Sequence, residues 1–349
     1  MIDNKNEEKK SVSISEFRRD LVSGDWILIC DTRRNRPTFF KPNKKNKKIL
    51  KKDCPFEDPQ KNGNPNPVLW FAKNNSKEFK DWFVQIIPNK YPLLVKKGGT
   101  CAKFDLEGIH QKADALGFHE VLIMRDHDRP LSKMSLEEIA LVLTAYKERY
   151  KILEKDECVE YILIFHNQGK KAGASIPHPH SQIVALPIIP PEVNKSIEGG
   201  KNFFKKHNKC VHCVSISREV KEKIRIVYEN KYFITMTPYA PRTPYEIRIF
   251  PRKHNSDFEE VTTEEIPFLA YSLKDVLLRI SKVLKNPDYN FFIHTSSARV
   301  NDVPYYHWHI EIIPRTYKWG GLELGSGIEV TAISPEEAAE QLRKAKKND

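Results

Sequence analysis

Nowhere in the 349 residues does an apolar run approach the roughly 18 that a membrane-crossing helix needs. The opening stretch MIDNKNEEKK also lacks the apolar core of a secretory signal. Both absences set the expectation of a soluble, cytoplasmic protein with no membrane partner. Cysteine is scarce as well. Six are present, Cys30, Cys54, Cys101, Cys158, Cys210 and Cys213, and in a chain of this size without a signal they are not expected to form a disulfide framework. The lysine runs KPNKKNKKILKK (41–52) and RKAKK (343–347) carry much of the net charge of +12, yet no aromatic residues are interleaved with them. Binding to single-stranded nucleic acid uses aromatic platforms as well as charge, so a solvated lysine-rich surface is the favoured reading of these runs. Such a field still attracts nucleotides and sugar phosphates.

The length favours about two domains, and an internal repeat says where they lie. HEVLIMRDHDRPLSKMSLEEIALVLTAYKERY (119–150) reads as an apolar strand, a turn holding His127, and a helix starting at Ser135 with Glu138 three residues on. YEIRIFPRKHNSDFEEVTTEEIPFLAYSLKDVLLRI (245–280) has the same order of parts, with His254 in the turn. EYILIFHNQG (160–169) is answered by YNFFIHTSSA (289–298), and His178 and His180 recur 129 residues on as His307 and His309. The fold class is therefore α+β, in two tandem copies, each a mostly antiparallel sheet with packed helices. The join falls in PIIPPEVNKSIEGG (187–200), which divides the chain into residues 1–190 and 191–349.

Chemistry concentrates in IPHPHSQIVA (176–185). Imidazole serves as nucleophile, proton carrier or metal ligand, and the stretch alone leaves all three open. In a strand, His178, His180 and Gln182 would share one face. The second copy reads His-Trp-His-Ile-Glu, with Glu311 in place of Gln182. An amide can donate to a phosphate oxygen whereas a carboxylate repels it, so only the first copy is equipped for phosphate chemistry.

A tetrahedral structural zinc takes a close Cys pair and two distant histidines, and the second copy offers Cys210, Cys213, His254 and His307. The first offers Cys54, Glu57, His127 and His178, where a carboxylate replaces one thiolate and leaves zinc, iron or manganese open. His212, inside the CVHC loop, reads as solvent-facing. His119, His166 and His294 sit beside apolar strand residues and read as hydrogen-bonded structural histidines.

FHNQGKKAGASIPHPHSQIVALP, RTPYEIRIFPRKH, HWHIEIIPR and GGLELGSGIEV resemble the galactose-1-phosphate uridylyltransferase branch of the histidine-triad superfamily, which also holds ADP-glucose phosphorylases. The resemblance spans about residues 15 to 343. It implies two histidine-triad-like units, with His180 as the nucleophile on the α-phosphorus of a nucleotide sugar, His178 as the adjacent metal ligand, and a homodimer. The expected partners are a nucleotide sugar and a hexose 1-phosphate. Gln182, Ser175, Asn167 and the loop GKKAGAS (169–175) would donate to phosphoryl oxygens. The resemblance carries Arg33 and Arg36 toward phosphate or nucleotide, Asn89 and Tyr91 toward the base, and Glu323 toward hexose hydroxyls. Uridine transfer between hexose 1-phosphates leads, and phosphorolysis of ADP-glucose or a dinucleoside polyphosphate by the same histidine is the alternative. A metal-stabilised nucleic-acid-binding protein is a third reading, but it leaves His180, Gln182 and the doubled sheets unexplained.

Overall fold

The computed structural model describes residues 15–35 and 49–345; Arg36 lies outside the described residues. The chain opens with a hairpin, β1 (Glu16–Arg19) and β2 (Trp26–Ile29). The first unit continues through β3 (Leu69–Ala72), β4 (Trp82–Pro88), a small exposed hairpin of β5 (Phe104–Glu107) and β6 (His110–Ala113), then β7 (Phe118–Met124). Helix α1 (Leu136–Leu153), β8 (Tyr161–Gln168) and β9 (His180–Leu186) complete it. Helices α2 (Pro191–His207) and α3 (Val211–Glu222) lead into β10 (Ile226–Glu229), β11 (Phe233–Met236) and β12 (Ile247–Pro251). Helix α4 (Ile266–Val283), β13 (Tyr289–His294) and β14 (His309–Pro314) repeat the pattern of the first unit. The chain closes with α5 (Gly321–Ser326), β15 (Glu329–Thr331) and α6 (Pro335–Lys344).

The two units share one ten-stranded sheet, ordered β10-β11-β12-β14-β13-β8-β9-β7-β4-β3. Its halves join where β8 and β13 pair antiparallel, with Asn167 opposite Asn290. Pairing these two strands spares each unit an exposed edge of open backbone groups. Helices α1 and α4 cover one face, and the apolar core beneath them runs unbroken from Ile162 and Ile183 in the first unit to Phe291 and Ile310 in the second.

Helix α1 begins as its sequence predicts. Ser135 Oγ accepts the Glu138 N–H and the Glu138 carboxylate accepts the Ser135 N–H. Each half of such a box satisfies a backbone donor the first turn would leave open, and losing the cap costs about 1 kcal/mol. Inside the helix, Arg149 holds the Glu120 carboxylate with two buried hydrogen bonds, bolting α1 to β7. The residues of β7 that flank Glu120, His119 and Val121, face the other side of the sheet. That side carries the site.

One sequence expectation fails here. Cys101 and Cys158 are joined in a disulfide, their Cα atoms 4.9 Å apart across a separation of 57 residues. They meet because the segment between β4 and β7 folds back over the ends of β8 and β9. Lys96 pairs with Asp156 beside the bridge, and at Gly117 a Cβ would lie 2.2 Å from the Ala185 carbonyl oxygen. That approach is a tertiary contact with no local sequence signal.

Candidate active site and metal-ligand clusters

Strand β9 begins at His180, and its alternation turns His180 and Gln182 to the face opposite α1, while Ser181 points under the helix. There Ser181 Oγ is 2.5 Å from the Tyr146 hydroxyl and 2.9 Å from His166 Nδ1. His166 is fully buried and stacked on Phe291, and burial pushes its pKa down to about 3. It is a neutral structural group, as its apolar neighbours predict.

His180 Nδ1–H donates to the His178 carbonyl at 2.8 Å. A carbonyl only accepts, so in the neutral ring Nδ1 carries the proton and Nε2 keeps the lone pair. Burial holds the His180 pKa below the ordinary imidazole value, keeping the ring in the neutral form a nucleophile needs. Phe56 packs edge-on against the ring, centroids 5.1 Å apart, and also meets His178 at 6.1 Å. Phe56 belongs to the CPFE loop, so the first ligand cluster and His180 share a wall.

In that cluster His178 Nε2–H donates to the Met124 carbonyl at 2.6 Å and His127 Nε2–H to the Ile49 carbonyl at 2.9 Å. Both Nδ1 atoms are thereby left with lone pairs, and they face each other at 3.2 Å, with Cys54 Sγ 3.6 Å from His178 Nδ1. Lone pairs set so close repel unless a cation or proton lies among them. Carbonyl-anchored imidazoles of this kind are the usual second support of a metal ligand. Cys54, His127 and His178 offer ligand atoms within 4.8 Å of one another. Glu57 reaches the group through His127, its buried Oε2 3.0 Å from Nδ1.

The second cluster gathers Cys210, Cys213, His254 and His307 within the same limit. His307 Nε2–H donates to the Pro251 carbonyl and His254 Nε2–H to that of Val303, which aims both Nδ1 atoms at Cys213 Sγ, 3.5 and 3.3 Å away. The Cys213 thiol and the two imidazoles hold the Cys210 thiol far below its ordinary pKa. Two sulfurs and two imidazoles are the donor set a tetrahedral metal takes, and the residues fit. His212 is not solvent-facing as expected. It is buried against Phe250, Tyr306 and His309, because α3 packs its first turn onto the sheet.

The second copy of the His-x-His stretch keeps the same backbone lock, His309 Nδ1–H donating to the His307 carbonyl at 3.1 Å. Its surroundings differ. Glu311 lies 2.8 Å from His294 and 3.6 Å from Arg248, and these partners hold its carboxyl well below the usual range despite burial. Asp20 and Asp25 of the first hairpin close this pocket. A committed carboxylate network occupies the place that Gln182 leaves open in the first copy.

The other expected residues fall into two groups. Asn89 and Asn167 are brought to His180's side of the sheet. The Asn89 Nδ2 lies 3.1 Å from His119 Nε2, which in turn is 2.8 Å from Gln182 Oε1. Asn167 Oδ1 accepts from Asn290 Nδ2 at 2.7 Å, and Asn290 also donates to the Ala172 carbonyl. Ser175 is exposed on the loop leading to His178. That loop supplies fewer donors than expected, because the N–H groups of Lys171, Ala172, Gly173 and Ala174 already donate to Asp288, Gly169, Lys170 and Gly169. Gly169, at φ +87°, allows this: a Cβ there would sit 2.0 Å from Asp288 Oδ1.

Arg33 and Glu323 stand elsewhere. Arg33 follows β2 in the small β1-β2-β15 sheet, and the Glu323 carboxylate accepts the Gly320 N–H at the start of α5. No described contact joins either to His180 or Gln182. Tyr91 is exposed. Sequence reasoning missed Asn290, Phe56 and His119 as neighbours of the site. The repeat marks the YNFF segment, but only the β8–β13 pairing sets Asn290 against Asn167.

A doubled α+β unit with a His-x-His strand in each copy, and a backbone-locked, amide-flanked histidine in the first, defines a tandem histidine-triad protein. Residues 4–190 match the family described as galactose-1-phosphate uridyl transferase, N-terminal domain, and residues 219–317 match the HIT domain. The chain belongs to the galactose-1-phosphate uridylyltransferase family. It is 33% identical over 332 residues to ADP-glucose phosphorylase of Arabidopsis thaliana, covering 94% of this chain and 92% of that protein. It is 32% identical over 337 residues to galactose-1-phosphate uridylyltransferase of Thermotoga maritima, covering 94% and 98%. Among solved structures, the Arabidopsis ADP-glucose phosphorylase with bound ADP-glucose superposes with a TM-score of 0.80 at 30% identity, over 95% of this chain and 99% of that one. A uridylyltransferase structure superposes at 0.70 with 28% identity, over 95% and 98%.

Proposed function

We propose that the protein is a nucleotidyltransferase that moves UMP between UDP-glucose and galactose 1-phosphate through a covalent uridylyl-His180. The observation that carries this reading is the His180 lock: Nδ1–H spent on the His178 carbonyl, Nε2 basic, and the Gln182 amide on the same strand face. In the first half-reaction the Nε2 lone pair forms a bond to the α-phosphorus, and the bond from that phosphorus to the bridging oxygen breaks, releasing glucose 1-phosphate. In the second, a phosphate oxygen of galactose 1-phosphate attacks the same phosphorus and the electron pair returns to Nε2. Gln182, with Asn167 and Ser175 at the rim, donates hydrogen bonds to the non-bridging oxygens as their charge builds. A neutral, desolvated imidazole enters this reaction without first losing a proton.

Cys210, Cys213, His254 and His307 would hold zinc, and Cys54, His127 and His178, with Glu57 beside them, would hold zinc or iron. A bound ion there supplies cross-links between distant segments. The chain's own part is to fix His178 through Met124, so that the carbonyl receiving His180 Nδ1–H keeps its place. The reading divides the chain at residues 190 and 191 and carries with it a homodimer in the cytoplasm, with Arg33, Arg36, Asn89 and Glu323 serving the nucleotide and sugar. Among the described residues no helix is long and apolar enough to cross a membrane.

A second reading, AMP transfer from ADP-glucose to phosphate by the same histidine, is supported by the 0.80 TM-score to the ADP-glucose-bound relative. Intact mass after brief incubation with UDP-glucose, and separately with ADP-glucose, tests both. An acid-labile UMP adduct on the wild type, absent from a folded His180→Ala variant, is the expected result. An AMP adduct in its place selects the second reading, and no adduct from either donor refutes the nucleotidyl-histidine altogether.

A further inference from the structure

We infer that His119 is a positioning residue that sets which way the Gln182 amide faces, and that the backbone N–H of Leu93 dictates how it does so. The inference rests on the nucleotidyl-His180 reading and extends it to a residue whose sequence setting marks it only as structural.

His119 is buried on β7, two residues from Val121, which pairs with Gln182 across the β7–β9 ladder. Leu93 N–H donates to His119 Nδ1 at 2.9 Å. A backbone N–H can neither flip nor change tautomer, so Nδ1 must be the lone-pair nitrogen and neutral His119 must carry its proton on Nε2. That proton points to Gln182 Oε1, 2.8 Å away. Because Oε1 is so engaged, the amide NH2 of Gln182 is the end presented beside His180, where a phosphoryl oxygen would need a donor. Asn89 poses the one competing arrangement, with its Nδ2 3.1 Å from the same His119 nitrogen. Were that nitrogen an acceptor for Asn89, Nδ1 would carry the proton and face the Leu93 N–H donor to donor. The Asn89 Oδ1 accepts the Tyr91 N–H at 2.9 Å, which fixes its NH2 end; with Nε2–H given to Gln182, that NH2 makes no hydrogen bond to His119 and its protons are left for a ligand.

The consequence is a relay from the 89–93 segment to the phosphate site. A side chain at 119 that donates from the Nε2 position preserves the Gln182 orientation. One that only accepts there would turn the amide round and present Oε1, an acceptor, to the phosphoryl oxygens. A charged-state-independent contact of this kind acts on the transition state more than on the bound donor.

The test uses the full-length, metal-loaded protein and the nucleotide sugar that labels the wild type, with rates of adduct formation measured over a range of donor concentrations. His119→Gln, whose amide donates from the same place, keeps at least about half of the wild-type rate. His119→Leu loses about 10-fold and His119→Glu about 100-fold or more, in the limiting rate and with little change in half-saturating concentration, in line with the loss of one oriented donor. In a Gln182→Ala background the three variants all react alike. Unequal rates in that background, or wild-type rates for His119→Leu or His119→Glu, overturn the inference. If His119→Glu does not fold, the contrast between His119→Leu and His119→Gln decides by the same criterion. A wild type that forms no adduct removes the underlying reading, and a wild type that reacts with variants that react equally well removes only the role of His119.

Discussion

Substituting His166 by asparagine tests the buried network behind the nucleophile through its pH dependence. His166 is fully buried, bonded to Ser181 and pushed down to a pKa of about 3 from an ordinary 6.5. Its folded-state pKa is depressed, so the folded protein refuses a proton that the unfolded chain accepts. Above about pH 6.5 both states are neutral and the group adds no slope. As pH falls below that value the unfolded chain protonates, and stability is lost at about 1.4 kcal/mol per unit until the folded pKa is reached. From about pH 7.5 to about pH 4.5 the loss from this one ring is roughly 2.7 kcal/mol. At about pH 4.5 the folded ring is still neutral, so this loss comes from protonation of the unfolded chain. Asparagine keeps an acceptor for Ser181 but does not titrate. At neutral pH His166→Asn should be less stable by about 1–3 kcal/mol, through lost stacking on Phe291 and a cavity. That deficit should vanish or reverse toward about pH 4.5. Urea unfolding of both proteins across the range measures the difference, in which the other histidines cancel. A gap that stays constant with pH would mean His166 is not held neutral, and the account of the buried network would fail.

His254→Ala should lose one equivalent of metal and show a lowered melting temperature, with activity at moderate temperature falling only as a consequence. Structural zinc contributes on the order of 10–16 kcal/mol of apparent binding free energy in small domains, so even a partial loss is visible by calorimetry. Unchanged melting with full metal content would remove the second cluster as a metal site. Gly169→Ala should slow adduct formation about 10-fold or more, because φ at +87° and the Asp288 carboxylate leave no room for a Cβ and the loop holding Asn167 must shift. Wild-type kinetics in that variant would show that the loop does not position the site.

Much of this was legible in the sequence because the chain says it twice. Alternating apolar strands, the Ser135–Glu138 capping box and the recurrence of His-x-His in each half are local patterns, set by backbone period and by helix-end donors, and the tandem α+β units follow from them. Gln182 against Glu311 set the two copies apart by residue type alone, an amide in one and a carboxylate in the other. Cys210 and Cys213 could be grouped with His254 and His307 because the repeat supplied the long-range correspondence that spacing alone lacks.

Tertiary structure alone decided the rest. That β8 and β13 meet edge to edge, merging two sheets into one and setting Asn290 against Asn167, depends on which open edges find each other. No window of sequence encodes that choice. The Cys101–Cys158 bridge and the Leu93–His119–Gln182 relay arise where the 89–117 segment folds back, and a backbone N–H carries no sequence signature at all. Arg33 and Glu323, matched to the family by their motifs, lie in the turn after β2 and in α5, and no described contact joins either to His180. Residue types and their periods determine which groups a strand can offer to one face. Hydrogen-bond direction, which decides whether a histidine is a ligand, a nucleophile or the support of an amide, depends on partners that only the folded chain brings within 3 Å or so.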